Sequence, residues 1–238
     1  MKKITKKDFI YLSIILLLTT VFTVISIFAF RKKENASYYD NKCFSYAVQN
    51  TNLSKNQIVF IGDSITDLYP LDDYYADLPL ACYNRGIGGD TTGGVLRRLQ
   101  VSAFDLAPKK IVLMIGTNDI NGGIPVDKIV KNYTEIVEKI QKQLPTTSLY
   151  LISVIPQNDD LEEYSNIKTA KTLPKILEVN ENIERLAQER GATYIDLFSE
   201  LKDENNYLIK EYSNDGIHLN AKGFEKWTAL LKPYLQEN

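Results

Sequence analysis

Short apolar runs recur along the chain, QIVFI (57–61), KIVLMI (110–115), SLYLISVI (148–155) and TYIDLF (193–198), and longer amphipathic stretches lie between them. A strand that is apolar at every position has no side to show to water, so both faces of its sheet must be covered. The stretches 126–144, 173–190 and 221–235 repeat apolar residues at helical spacing and can supply that cover. Turn chemistry agrees, with Pro125 and Asp127 suited to a helix start and Gly191 to a stop just past Arg190. The pattern predicts an α/β fold, a three-layer α/β/α sandwich around a central, mainly parallel sheet.

The first part of the chain does not fit this alternation. Phe9 to Phe30 contains no charged residue, and as a helix it is long enough to cross a hydrocarbon layer of about 30 Å. Basic residues flank it on both sides: Lys2, Lys3, Lys6 and Lys7 before, Arg31, Lys32 and Lys33 after. The expected organisation is residues 1–33 as a basic N-terminus and transmembrane signal anchor, 34–56 as a juxtamembrane helix, and 57–238 as the α/β domain. This predicts a single-pass membrane protein with its domain outside the cytoplasm. Signal cleavage and secretion is the alternative, disfavoured by the three basic residues directly after the apolar stretch.

Residues 1–33 hold seven of the 28 Lys and Arg and one of the 30 acidic residues, which leaves 21 against 29, a formal charge of −8. Such a domain repels phosphate backbones, so nucleic acid is not an expected partner. Two cysteines, Cys43 and Cys82, are too few for a disulfide scaffold or a thiolate cluster, and whether they pair stays open. No spacing of histidine, cysteine and carboxylate suggests a metal site. The glycine-rich stretch GIGGDTTGG (86–94) lacks the G-x-G-x-x-G spacing of a dinucleotide loop, and no P-loop lysine follows it, so no cofactor is expected. Oligomeric state is not legible.

In open α/β sheets, ligands bind beyond the carboxyl ends of the strands. IGDSIT (61–66) follows the first apolar run and carries Ser64. NRGIGGDTT (84–92) follows a short strand expected around Ala81 to Tyr83, and its glycines allow close backbone approach to a ligand. GTND (116–119) follows KIVLMI; Asn118 there is either a polar group aimed at the rim or, with Asp119, a helix cap. Before the last helix comes Asp215-Gly216-Ile217-His218, with the only histidine of the chain three residues after a carboxylate. That separation lets a turn set Asp215 against one ring nitrogen and leave the other for a serine hydroxyl. The nucleophile elbow G-x-S-x-G is not present.

Taken together, Gly62-Asp63-Ser64, Gly89, Gly116-Thr117-Asn118-Asp119 and Asp215-x-x-His218 resemble the blocks of the SGNH hydrolases, the GDSL-type esterases and lipases. GIGGDTT and GTND are especially similar to the bacterial relatives of the platelet-activating-factor acetylhydrolase catalytic subunits. Ile65 stands where the namesake motif has leucine, an apolar exchange. The resemblance implies the flavodoxin-like SGNH fold and a carboxylic ester hydrolase that needs no cofactor. By that pattern Ser64 is the nucleophile, His218 the base and Asp215 its orienter, and the oxyanion donors are the backbone N–H groups of Ser64 and Gly89 and the amide of Asn118. The implied substrate is an acyl ester, of a glycan or of a lipid, and acetyl or other short acyl groups are the expectation. Lysophospholipid or thioester hydrolysis on longer chains is the alternative, and a non-catalytic binding domain a further one. The loop 156–171 is expected to border the leaving-group side.

Overall fold

The computed structural model describes residues 15–23, 38–161 and 168–237, in two compact units, Met1–Lys42 and Cys43–Asn238. In the first unit, residues 15–23 are helical, and Ile15, Leu16, Leu17, Leu18 and Phe22 are exposed. The remainder of the expected span 9–30 lies outside the described residues. Among the described residues no helix is long and apolar enough to cross a membrane.

The second unit is built on a sheet of five strands, β1 (Ile58–Gly62), β2 (Cys82–Gly86), β3 (Lys110–Met114), β4 (Ser148–Ile152) and β5 (Thr193–Ile195), in the order β2-β1-β3-β4-β5. Every neighbouring pair is parallel. A helix over 38–50, α1, precedes β1. Then follow α2 (Ser64–Asp67), α3 (Leu71–Tyr75), α4 (Thr92–Ser102), α5 (Thr117–Asn121), α6 (Val126–Gln143), α7 (Thr169–Arg190), α8 (Leu197–Leu201) and α9 (Ala221–Gln236).

Alternation along the strands divides the core in two. Val59, Ile61, Ile111 and Leu113 face one way, toward Leu99 of α4, Ile136 of α6 and Ile183 of α7. Ile58, Phe60, Val112 and Met114 face the other way, toward Phe224 and Trp227 of α9. Each such large side chain, fully buried, stabilises the fold by about 2 kcal/mol. Residues 43–50 of α1 also join this unit. Tyr46 is buried and donates its hydroxyl to the carbonyl of Gly86, and Asn50 donates to the carbonyl of Val101 at 2.8 Å.

Local chemistry ends several elements earlier or later than periodicity predicts. SLYLISVI is apolar through Ile155, yet β4 stops at Ile152. The side chain of Asn180 takes over as hydrogen-bond partner of Val154, accepting from its N–H at 2.7 Å and donating to its carbonyl at 2.9 Å. TYIDLF does not continue as a strand past Ile195, because Asp196 caps α8 by accepting from the N–H of Ser199 at 3.1 Å. α7 begins at Thr169 rather than at residue 173 and carries Pro174 within its second turn. Its start is held from outside, since the hydroxyl of Thr172 donates to Gln157 at 2.8 Å.

Strand β1 has β2 on one side and β3 on the other, so the chain leaves these strands in opposite directions around it. A crevice opens at such a switch point, beyond the carboxyl ends. Gly62 is in register with Gly86 of β2 and with Met114 of β3. The segments that follow these three residues therefore emerge side by side.

Candidate active site

Ser64 is the first residue of α2, two residues beyond β1. Gly62 makes that exit possible: a Cβ there would stand 2.5 Å from the carbonyl oxygen of Met114 on the adjacent strand. Asp63 caps the turn, its Oδ1 accepting from the N–H of Ile65 at 3.0 Å. The N–H of Ser64 lies in the first turn, where a helix offers no acceptor, and it makes no hydrogen bond among the described residues.

The Oγ of Ser64 lies 2.8 Å from Nε2 of His218, and Nδ1 of His218 lies 2.6 Å from Oδ2 of Asp215. The turn that presents this pair is tied internally. Oδ1 of Asp215 accepts from the N–H groups of Ile217 and His218 at 2.9 and 2.8 Å, and Ser213 Oγ donates to the carbonyl of His218 at 2.7 Å. Gly216 sits at φ +82°, and a Cβ there would come within 1.9 Å of the carbonyl oxygen of Asn158, so only glycine fits. Asp215 thus spends one oxygen on the backbone and one on the ring.

Burial raises the affinity of Asp215 for a proton, but the hydrogen bonds from the His218 ring and from the two backbone N–H groups outweigh it and hold the carboxyl below its ordinary range. An ionised carboxylate only accepts, so Nδ1 carries the hydrogen of this pair. In the neutral ring Nε2 is then an acceptor, positioned for the hydroxyl hydrogen of Ser64.

The other two candidates occupy the same rim. Gly89 follows β2 at φ +75° and is exposed, and its N–H makes no hydrogen bond among the described residues. Asn118 is in α5, after β3, and its Nδ2 donates to the carbonyl of Asp90 at 2.9 Å. One amide hydrogen is so used in orienting the side chain; the second has no partner among the described residues. Neither residue of the Asn118-Asp119 pair is a helix cap, because Gly116 fills the cap position of α5. Asp119 instead reaches across to the start of α4, accepting from the N–H and hydroxyl of Thr92 at 2.9 and 2.6 Å.

Asp63, Asp90 and Asp119 are each buried beneath this rim. Sequence patterning gave Asp63 no role beyond its place in the motif, since burial of a carboxyl leaves no periodic trace. Burial pushes the Asp63 carboxyl up to about 7, against the pull of the Ile65 N–H, and nearby Asp90 pushes it further. Its Oδ2 is buried without a hydrogen-bond partner. Unfolded, an aspartate titrates near about 3.9, so between about pH 4 and 7 the folded chain binds more protons at this position than the unfolded one. Stability therefore falls as pH rises through that window, and the cost is complete above it. Asp63→Asn keeps the capping oxygen and removes the charge. Its melting temperature relative to the parent is expected to rise between about pH 4.5 and 7 and to level off by about pH 8; thermal denaturation showing a constant offset from about pH 4.5 to 8 would contradict the assignment.

A family model described as the GDSL-like Lipase/Acylhydrolase family matches residues 60–226. Over 144 residues, 58% of this chain and 62% of the relative, the sequence is 30% identical to platelet-activating factor acetylhydrolase IB subunit alpha2 of Gallus gallus, so the chain spans less than two thirds of that relative. Over 174 residues, 71% of each chain, it is 27% identical to the subunit alpha2 of Homo sapiens. Among solved structures, a candidate platelet activating factor from Streptococcus pneumonia superposes with a TM-score of 0.78 at 30% identity, covering 86% of this chain and 95% of the other. With the motif blocks of the sequence gathered at one end of a doubly wound sheet, and the family model spanning most of that sheet, the chain belongs to the GDSL-like lipase/acylhydrolase family.

Proposed function

We propose that this protein is a serine esterase that removes acetyl or other short acyl groups from an alcohol through an acyl-enzyme on Ser64. The observation that carries this reading is the continuous relay from Ser64 Oγ through His218 to Asp215, at 2.8 and 2.6 Å. Ser64 Oγ attacks the ester carbonyl carbon while its proton passes to Nε2 of His218. Asp215, ionised, stabilises the imidazolium that forms. The carbonyl oxygen becomes an oxyanion, met by the N–H groups of Ser64 and Gly89 and by the remaining amide hydrogen of Asn118. As the tetrahedral centre collapses, the bond to the leaving alcohol breaks and Nε2 returns the proton to the departing oxygen. Water then repeats the sequence on the acyl-enzyme, releasing the carboxylic acid and restoring the serine.

The surroundings favour a small acyl group on a polar alcohol. A cavity of about 550 Å³ is lined by Asn158, Asp160, Asp203, Asn205, Tyr207 and Lys210 together with the apolar Leu173 and Ile209. It borders the turn that carries the relay, since the N–H of Asn158 donates to the carbonyl of Gly216 at 2.9 Å. This lining suits hydroxyl groups, as of a glycan acetyl ester, better than a lipid tail. Leu68, 58% exposed directly after α2, favours the second reading, a lysophospholipase or thioesterase acting on longer chains.

The uncharged stretch Phe9 to Phe30 supports a single-pass anchor with the hydrolase domain outside the cytoplasm, and secretion after cleavage is the other arrangement. The helical residues 15–23, with their apolar side chains exposed, are in keeping with a lipid environment.

Ser64→Ala is expected to lose covalent labelling by a fluorophosphonate probe entirely; labelling at parental strength would remove Ser64 from the reaction. Asn118→Ala is expected to fold normally and to lose about 10²–10³ in kcat, since one oxyanion donor is typically worth that much; parental turnover in a steady-state assay would exclude it from the site. Across p-nitrophenyl esters from acetate to palmitate, kcat/KM is expected to be highest at acetate, and a maximum at long chains would favour the lysophospholipase or thioesterase reading.

A further inference from the structure

A single buried guanidinium joins the segments that bear the three oxyanion donors. Arg98, in α4, has a side chain 1% exposed and is paired with Asp90, whose side chain is 2% exposed. Its Nε donates to Asp90 Oδ2 at 2.7 Å. Its Nη1 donates at 2.7 Å both to the carbonyl of Arg85, in β2, and to the hydroxyl of Ser102. Its Nη2 donates to the carbonyl of Gly62, the last residue of β1, at 2.9 Å.

Three of these four acceptors, all but Ser102, lie on the segments that bear the donors. Gly62 precedes Ser64 by two residues, Arg85 and Asp90 bracket the loop that holds Gly89, and the carbonyl of Asp90 is where Asn118 anchors its amide. We infer that Arg98 is the positioning residue of the oxyanion side, setting the carbonyl of Asp90, and through it the side chain of Asn118, against the exit from β1 that carries Ser64. This rests on the reading of Ser64, Gly89 and Asn118 as oxyanion donors.

The planar fork matters as much as the charge. Its N–H groups diverge in fixed directions, which lets one side chain meet four acceptors from four residues; a lysine ammonium at the same place has three donors on one atom and cannot span them. A salt bridge present only for stability would be largely served by lysine, whereas a geometric template would not.

The test uses the full chain in detergent. Arg98→Lys, folded by circular dichroism, is expected to lower kcat for p-nitrophenyl acetate by about 10–100-fold, the scale of a small misplacement of catalytic groups, with KM within about twofold. Added to Asn118→Ala, the same change is expected to cost less than about threefold more, because the group it positions is already gone. In ¹H–¹⁵N spectra the Asn118 side-chain amide pair, identified by its disappearance in Asn118→Ala, is expected to shift in Arg98→Lys.

Effects that multiply across the two substitutions, or an unmoved amide pair, would overturn the inference. If Arg98→Lys does not fold, Ser102→Ala, which removes one anchor of the guanidinium, is put through the same cycle and spectrum and read in the same way. A parent chain that neither hydrolyses esters nor takes the fluorophosphonate would sink the esterase reading instead, and the amide spectrum would still judge Arg98.

Discussion

Both faces of the central sheet are sealed by helices, and this one constraint decides where chemistry can occur. β1 is buried along its whole length, so a polar group on the strand itself would lose its water without replacement. Within the sheet a buried polar side chain needs its own partners, as Arg85 finds in Asn50 and Lys110 in the carbonyls of Tyr234 and Leu235, and polar groups left free for a substrate occur where the strands end. The parallel register then brings the exits of β1, β2 and β3 to one level, with Gly62, Gly86 and Met114 paired across the ladder. Three segments far apart in sequence share one rim because the hydrogen-bond ladder gives them no other place to emerge.

Beneath that rim the electrostatics are costly. Asp90 and Asp119 both have their carboxyl pKa values raised by burial, against the counter-pull of Arg98 for the first and of Thr92 for the second. With Asp63 they form a buried acidic floor below the Ser64 turn. Burying such groups costs free energy, and each is held by hydrogen bonds to a neighbouring segment. Asp119 holds α5 to α4, Asp90 holds the second loop to Arg98, and Asp63 shapes the turn of α2. Rigidity at the rim is thus obtained from polar contacts, while the apolar layers on either side supply the net stability.

How much of this was legible depends on the kind of interaction. The apolar strands and the three long helices α6, α7 and α9 followed from apolar periodicity; the short helices α2, α3, α5 and α8, and the element ends, did not. Asn180 ends β4 from a distant helix, and Asp196 turns the last expected strand into a helix start, both through side-chain hydrogen bonds that carry no period. The site residues were legible because chemistry restricts the residue types: a lone histidine three positions after an aspartate, and a serine just past an apolar run. Arg98 is illegible for the opposite reason: it stands beside Arg97 in the sequence, and nothing local distinguishes an exposed guanidinium from a buried one.

The sequence by itself determined the class of fold, the order of its apolar strands and long helices and the residue types available for chemistry, because burial on two faces and the special conformations of glycine are written locally. Tertiary structure decided what those residues touch. Ser64 and His218 are 154 positions apart, and no local pattern specifies a 2.8 Å contact between them. Nor does any local pattern specify which carbonyls a buried arginine will find. Those distances are fixed by the packing of α4 and α9 against opposite faces of one sheet, and packing is a property of the whole chain.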